Sequence, residues 1–164
     1  MPITLAQAIR TALEAEHNAT QFYEQLATRS AGQRVRLLFD ELAAQERDHA
    51  ARLEALGARD PAFSSAASVD VRAVQVESSP EWLRAAQIDL RQALQVAIES
   101  EHNAQLYYDA MASSCAREVA GFFESMARTE ARHAAVLEQL LQRLDEPRAP
   151  DELYVELTAE PEAE

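Results

Sequence analysis

The sequence predicts an all-α fold, an antiparallel four-helix bundle made of two copies of one helical hairpin. Three observations carry this expectation: a composition of helix formers, a phrase that occurs twice, and apolar residues at helical spacing. The 164 residues include only three glycines and six prolines and are rich in Ala, Leu, Glu, Gln and Arg, which favours helices over strands. Residues 16 to 23 read EHNATQFY, and residues 101 to 108 read EHNAQLYY. At an offset of 85, residues 5–27 and 90–112 share 11 identities, and at an offset of 84, residues 35–56 and 119–140 agree at 10 of 22 positions. Duplication of a two-helix unit accounts for both blocks.

The first helix is expected over about 4–28. There Leu5, Ile9, Leu13, Glu16, Tyr23 and Leu26 recur at spacings of three, four and seven, with Arg10, Glu14, Asn18, Gln21 and Gln25 on the opposite face. Thr4 followed by Gln7 fits a capping box at its start. The second helix, about 34–56, carries Val35, Leu38, Leu42, Glu46, His49, Leu53 and Leu56 on one stripe, with Gly57 as its stop. The third, about 81–112, opens at Ser79-Pro80-Glu81, an N-cap with proline at the first helical position, and carries Leu94, Ile98, Glu101 and Tyr108. The fourth, about 118–144, carries Val119, Phe122, Met126, Glu130, His133, Leu137 and Leu140. Short turns near 28–33 and 113–118 make each hairpin antiparallel, and residues 58–79 are long enough to cross along the bundle. Residues 1–144 thus read as one bundle domain, and 145–164, with eight acids and one arginine, as an acidic C-terminal tail.

Several function classes fall away on composition. A net charge of -13 with no basic stripe opposes nucleic acid and acidic membrane surfaces. One cysteine, Cys115, makes no internal disulfide and no cysteine-rich metal site, and it sits in a predicted turn as a bystander thiol. The N-terminal residues have acids early and no long apolar run, so neither a signal peptide nor a membrane span is expected and the cytoplasm is the expected compartment. With no lysine in the chain, Schiff-base chemistry and P-loop phosphate binding are excluded.

Glu16, Glu46, Glu101 and Glu130 interrupt apolar stripes that face the core. A buried carboxylate is costly unless paired, protonated or bound to a cation. Glu46 and Glu130 are each followed at i+3 by a histidine, His49 and His133, a spacing that aims both side chains the same way. Folding the four helices together brings four carboxylates and two imidazoles to one level. Oxygen-rich donors with two nitrogens suit iron or manganese, and six ligands shared by two ions leave positions open for oxygen species. A buried metal-free polar network is the alternative, and it must satisfy many lone pairs without a cation.

With these residues, the sequence resembles the rubrerythrin and bacterioferritin branch of the ferritin-like superfamily over residues 4–57 and 81–144. The resemblance implies a ferritin-like bundle with two iron ions per chain, manganese being suited to one or both positions. It also implies that Glu16 and Glu101 are ligands from the first and third helices, Glu46 and Glu130 bridging carboxylates, and His49 and His133 one nitrogen ligand per iron. Tyr23 and Tyr108, seven residues after their glutamates, match tyrosines beside such sites and are the candidate catalytic side chains that donate hydrogen bonds to bound oxygen. Packing alone, with the hydroxyls satisfied, is the alternative reading of these rings.

Departures from those relatives shape the functional expectation. No paired Cys-x-x-Cys of a rubredoxin module occurs, so electrons would come from a separate donor protein. Leu13, Ala19, Ile98 and Ala104 occupy the positions where rubrerythrins place an extra glutamate, and Arg47 stands where bacterioferritins place a haem-binding methionine, so no haem is expected. The expected function is an oxidoreductase that reduces hydrogen peroxide or dioxygen at a carboxylate-bridged binuclear iron site. Oxidation and storage of Fe(II) is the second reading, a metal-free interaction bundle the third, and a homodimer the expected assembly. Glu14, Glu99, His17 and His102 lie off the ligand face and read as solvated or interhelix residues, and Asn18 and Asn103 as outward-facing repeats.

Overall fold

At the first helix the Thr4 side chain accepts from the Gln7 N–H while the Gln7 side-chain oxygen accepts from the Thr4 N–H, so the predicted capping box is present and starts α1, Leu5–Arg29. The structure, a computed structural model, describes residues 3–30, 32–59, 68–69 and 89–144. Helix α2 spans Gln33–Arg59, α3 Leu90–Ser114 and α4 Arg117–Arg143. The two short turns have the expected places. Asp89 caps α3, its carboxylate accepting from the Arg91 N–H. The predicted helix start at residues 79–81, most of the crossover and the acidic tail lie outside the described residues.

Two expectations need correction. Gly57 does not stop α2, which runs on to Arg59 with no left-handed residue among the described ones. It stays helical and packs under α1, where a Cβ would stand 3.7 Å from Ile9 Cγ2. On α4 the fully buried ring is Phe123, whereas Phe122 is partly buried beneath the Arg52 guanidinium, 5.3 Å from its ring centre. The ridge of a long helix drifts around its axis, so adjacent positions compete for the core and their partners decide between them.

Interhelix contacts fix the directions. The Tyr107 hydroxyl, late in α3, donates to the Ala8 carbonyl, early in α1, at 2.8 Å, and Tyr23 meets Glu101, so α1 and α3 run antiparallel. Gln45 meets His133 and Arg52 meets Phe122, so α2 and α4 are antiparallel too. Helices α2 and α3 are therefore parallel. A 27-residue helix is ~40 Å long, so the end of α2 and the start of α3, between which the crossover is expected, lie at opposite ends of the bundle. One piece of that connection, β2 (Ser68–Val69), pairs antiparallel with β1 (Ile3–Thr4) at the start of α1. Otherwise the described fold is all-α.

Two apolar clusters fill the bundle. One contains Leu26, Phe39, Leu94 and Leu137, and the other Leu5, Leu53, Met111 and Phe123. Burial of these side chains supplies the main favourable term in folding. Between the clusters, at mid-helix, the core turns polar.

Candidate metal centre

Each helix delivers its polar side chains to that layer by its own period. On α2 and α4 the i+3 spacing aligns Glu46 with His49 and Glu130 with His133, while α1 and α3 supply Glu16 and Glu101. All six are buried, none more than 4% exposed. The six residues singled out from the sequence are thus brought together. They form two groups, Glu16-Glu46-His49-Glu130 and Glu46-Glu101-Glu130-His133, each offering four ligand atoms within 4.8 Å of one another. Glu46 and Glu130 belong to both.

The two groups are nearly symmetric. His49 Nδ1 lies 2.9 Å from Glu130, 3.2 Å from Glu46 and 3.5 Å from Glu16. His133 Nδ1 lies 3.0 Å from Glu46, 3.3 Å from Glu130 and 3.5 Å from Glu101. These approaches are close but are not aligned as hydrogen bonds. Both Nδ1 atoms, both Glu130 oxygens and Glu46 Oε1 are buried without a hydrogen-bond partner. Such atoms are rare in proteins and ask for a reason. They converge on common points, as donors around cations do, and four carboxylates match the charge of two divalent ions. The residues fit a binuclear metal site.

Electrostatics in the protein without metal follow from the crowding. Burial opposes charge on His49, but Glu130, Glu16 and Glu46 outweigh it and push the imidazole up to about 12. His133 is raised against burial by Glu101, Glu130 and Glu46. Burial raises Glu16 and Glu101 well above the usual carboxylate range, with Glu46 and Glu130 adding repulsion. Glu46 and Glu130 are lowered despite their burial, held down by both histidines.

The tyrosines cross between hairpins. Tyr23 on α1 donates to Glu101 on α3, and Tyr108 on α3 donates to Glu16 on α1. Burial raises both phenols, and the facing carboxylates raise them further, so each hydroxyl keeps its proton. Each ring stacks on a phenylalanine of its own hairpin, Tyr23 on Phe39 and Tyr108 on Phe123, both at 6.2 Å between centroids.

Sequence reasoning missed Gln45, whose Oε1 sits 2.8 Å from His133 Nε2, and Tyr107, which ties α3 to α1. Neither position is repeated: their counterparts are Thr129 and Phe22. Repetition was the signal, so unrepeated residues escaped it. His17 and His102 are exposed, and His102 Nε2 pairs with Glu138 at 3.0 Å. Cys115 caps the end of α3, its N–H donating to the Met111 carbonyl. No helix among the described residues is long and apolar enough to cross a membrane.

A sequence model of the rubrerythrin family matches residues 7–95 and 92–164, one stretch over each half. The chain belongs to the rubrerythrin family. A solved structure described as a ferritin-like diiron-carboxylate protein of Thermotoga maritima is similar to it, with a TM-score of 0.76 and 20% identity, over 87% of this chain and 97% of that one. The likeness shows a ferritin-like fold. No curated protein matches the chain. As a rubrerythrin-family protein it carries a candidate binuclear metal site of carboxylates and histidines in a ferritin-like bundle.

Proposed function

We propose that the chain is an oxidoreductase that reduces hydrogen peroxide or dioxygen at two iron ions held by Glu16, Glu46, His49, Glu101, Glu130 and His133. The observation that carries this is the convergence of buried, unpartnered donor atoms in two groups that share two glutamates. Two iron ions held there would supply the redox chemistry for reducing an oxygen species, with electrons drawn from a separate donor protein; manganese suits the same donors.

The chain's own residues position and insulate. Glu46 and Glu130, common to both groups, hold the two positions side by side. Tyr23 and Tyr108 fix the orientation of Glu101 and Glu16 and keep a proton beside each. The stacked Phe39 and Phe123, both fully buried, pack the tyrosine rings against the apolar clusters on either side of the layer.

Iron retained per chain tests the reading, after metal-free protein takes up excess Fe(II) anaerobically, meets air and is desalted. About two per chain with peroxide consumption is the expected result; near zero would return the cluster to a metal-free polar network. A second reading, Fe(II) oxidation for storage or delivery, is favoured by one observation. Leu13, Ala19, Ile98 and Ala104, where rubrerythrins place an extra glutamate, pack against the apolar clusters and supply no carboxylate. Tens of ions per chain would support it. So would a hollow shell by light scattering, whereas a homodimer cannot enclose a mineral core.

A further inference from the structure

The duplicated halves repeat the ligands, the tyrosines and the stacked phenylalanines, and His–carboxylate distances agree within 0.1 Å between the halves. Around the two histidines, the described halves differ in a polar contact. Gln45 reaches across from α2 and places Oε1 2.8 Å from His133 Nε2. The matching residue on α4 is Thr129, which is shorter and otherwise engaged: its hydroxyl donates to the Ser125 carbonyl at 3.2 Å and receives Arg132 at 3.3 Å.

An acceptor at Nε2 fixes the imidazole tautomer. In the neutral ring that can serve as a ligand, the proton stays on Nε2 and the Nδ1 lone pair faces Glu46, Glu101 and Glu130, and the hydrogen bond holds the ring in that orientation. His49 gains no such contact from Thr129.

We propose that Gln45 makes the two metal positions unequal, so that the position formed by Glu46, Glu101, Glu130 and His133 fills first and more tightly. This rests on the metal-binding reading above. Gln45 is here a positioning residue that acts through His133.

Calorimetric titration of the metal-free full-length chain with Co(II) tests it. The native protein is expected to bind two ions in distinguishable steps. In Gln45→Met, which keeps the bulk and removes the acceptor, the tight step weakens by about 10–100-fold and the weak step is unchanged. Gln45→Glu, which keeps an acceptor, retains the tight step. Thr129→Gln, which offers His49 the missing acceptor, draws the weak step toward the tight one, and this variant carries the test should Gln45→Met fail to fold. Two indistinguishable steps in the native protein would overturn the proposal. Equal weakening of both steps in Gln45→Met, unchanged steps there, or steps as far apart in Thr129→Gln as in the native chain would do the same. A native chain that binds no Co(II) would instead overturn the metal reading itself.

Discussion

Glu46 and Glu130 are the residues on which both ligand groups depend, since each group contains both. Glu46→Ala or Glu130→Ala is therefore expected to abolish paired metal binding rather than halve it, and a normal diferric spectrum in either variant would refute that role. Protons compete at the same atoms. In the metal-free protein His49 is pushed up to about 12 and His133 is raised as well, so both imidazoles are charged at neutral pH and must lose a proton to become ligands. Uptake of two divalent ions should release at least about two protons per chain in a pH-stat, and affinity should rise with pH. The linkage has a definite sign. Raised histidines stabilise the metal-free fold fully below the ordinary value of 6.5, and that contribution fades as pH climbs toward their folded values. Lowered Glu46 and Glu130 stabilise it above 4.5, and their contribution is lost on acidification. Metal uptake with no proton release would show that the histidines are neutral beforehand.

At the level of the helix, stability is carried by caps, propensity and packing. Removing the Thr4 hydroxyl and methyl breaks one half of the α1 capping box, so Thr4→Ala should cost about 1 kcal/mol in urea unfolding. Gly121 lies exposed inside α4, and nothing stands within 4 Å of where its Cβ would be. Gly121→Ala should stabilise by about 0.5–1 kcal/mol, through the lower chain entropy of the unfolded state. A loss of stability there would mean that α4 needs the space for a contact on that face. The four helices and their ligand spacing were legible because amphipathic period and duplication reinforce each other: each stripe appears twice with the same polar intruders. Gly57 was misread because a glycine near a helix end is a stop only when the chain turns left-handed there, and Ile9 packing above it is a tertiary fact.

For the whole molecule, the polar layer divides the core between two apolar clusters, and metal would tie all four helices together through it. Ions that bind only the folded chain stabilise it by mass action. At a hundredfold excess over Kd, two sites would contribute about 5 kcal/mol, a rise of roughly 10–20 °C in Tm for a chain this size. Thermal scans with Co(II) or Mn(II), reversed by a chelator, check this; equal melting with and without metal would argue for a bundle that needs no ions. The crossed tyrosines strengthen the same link, since each joins one hairpin to a carboxylate of the other.

By itself the sequence determined the all-α class, the duplicated hairpin and the six ligand candidates, because helical period and repetition are local properties that a chain states in order. Tertiary structure alone decided which hairpin each tyrosine serves, which of Phe122 and Phe123 is buried, and that Gln45 reaches His133. Those are contacts between helices far apart in the chain. No spacing encodes them, and they are set only when the two halves pack.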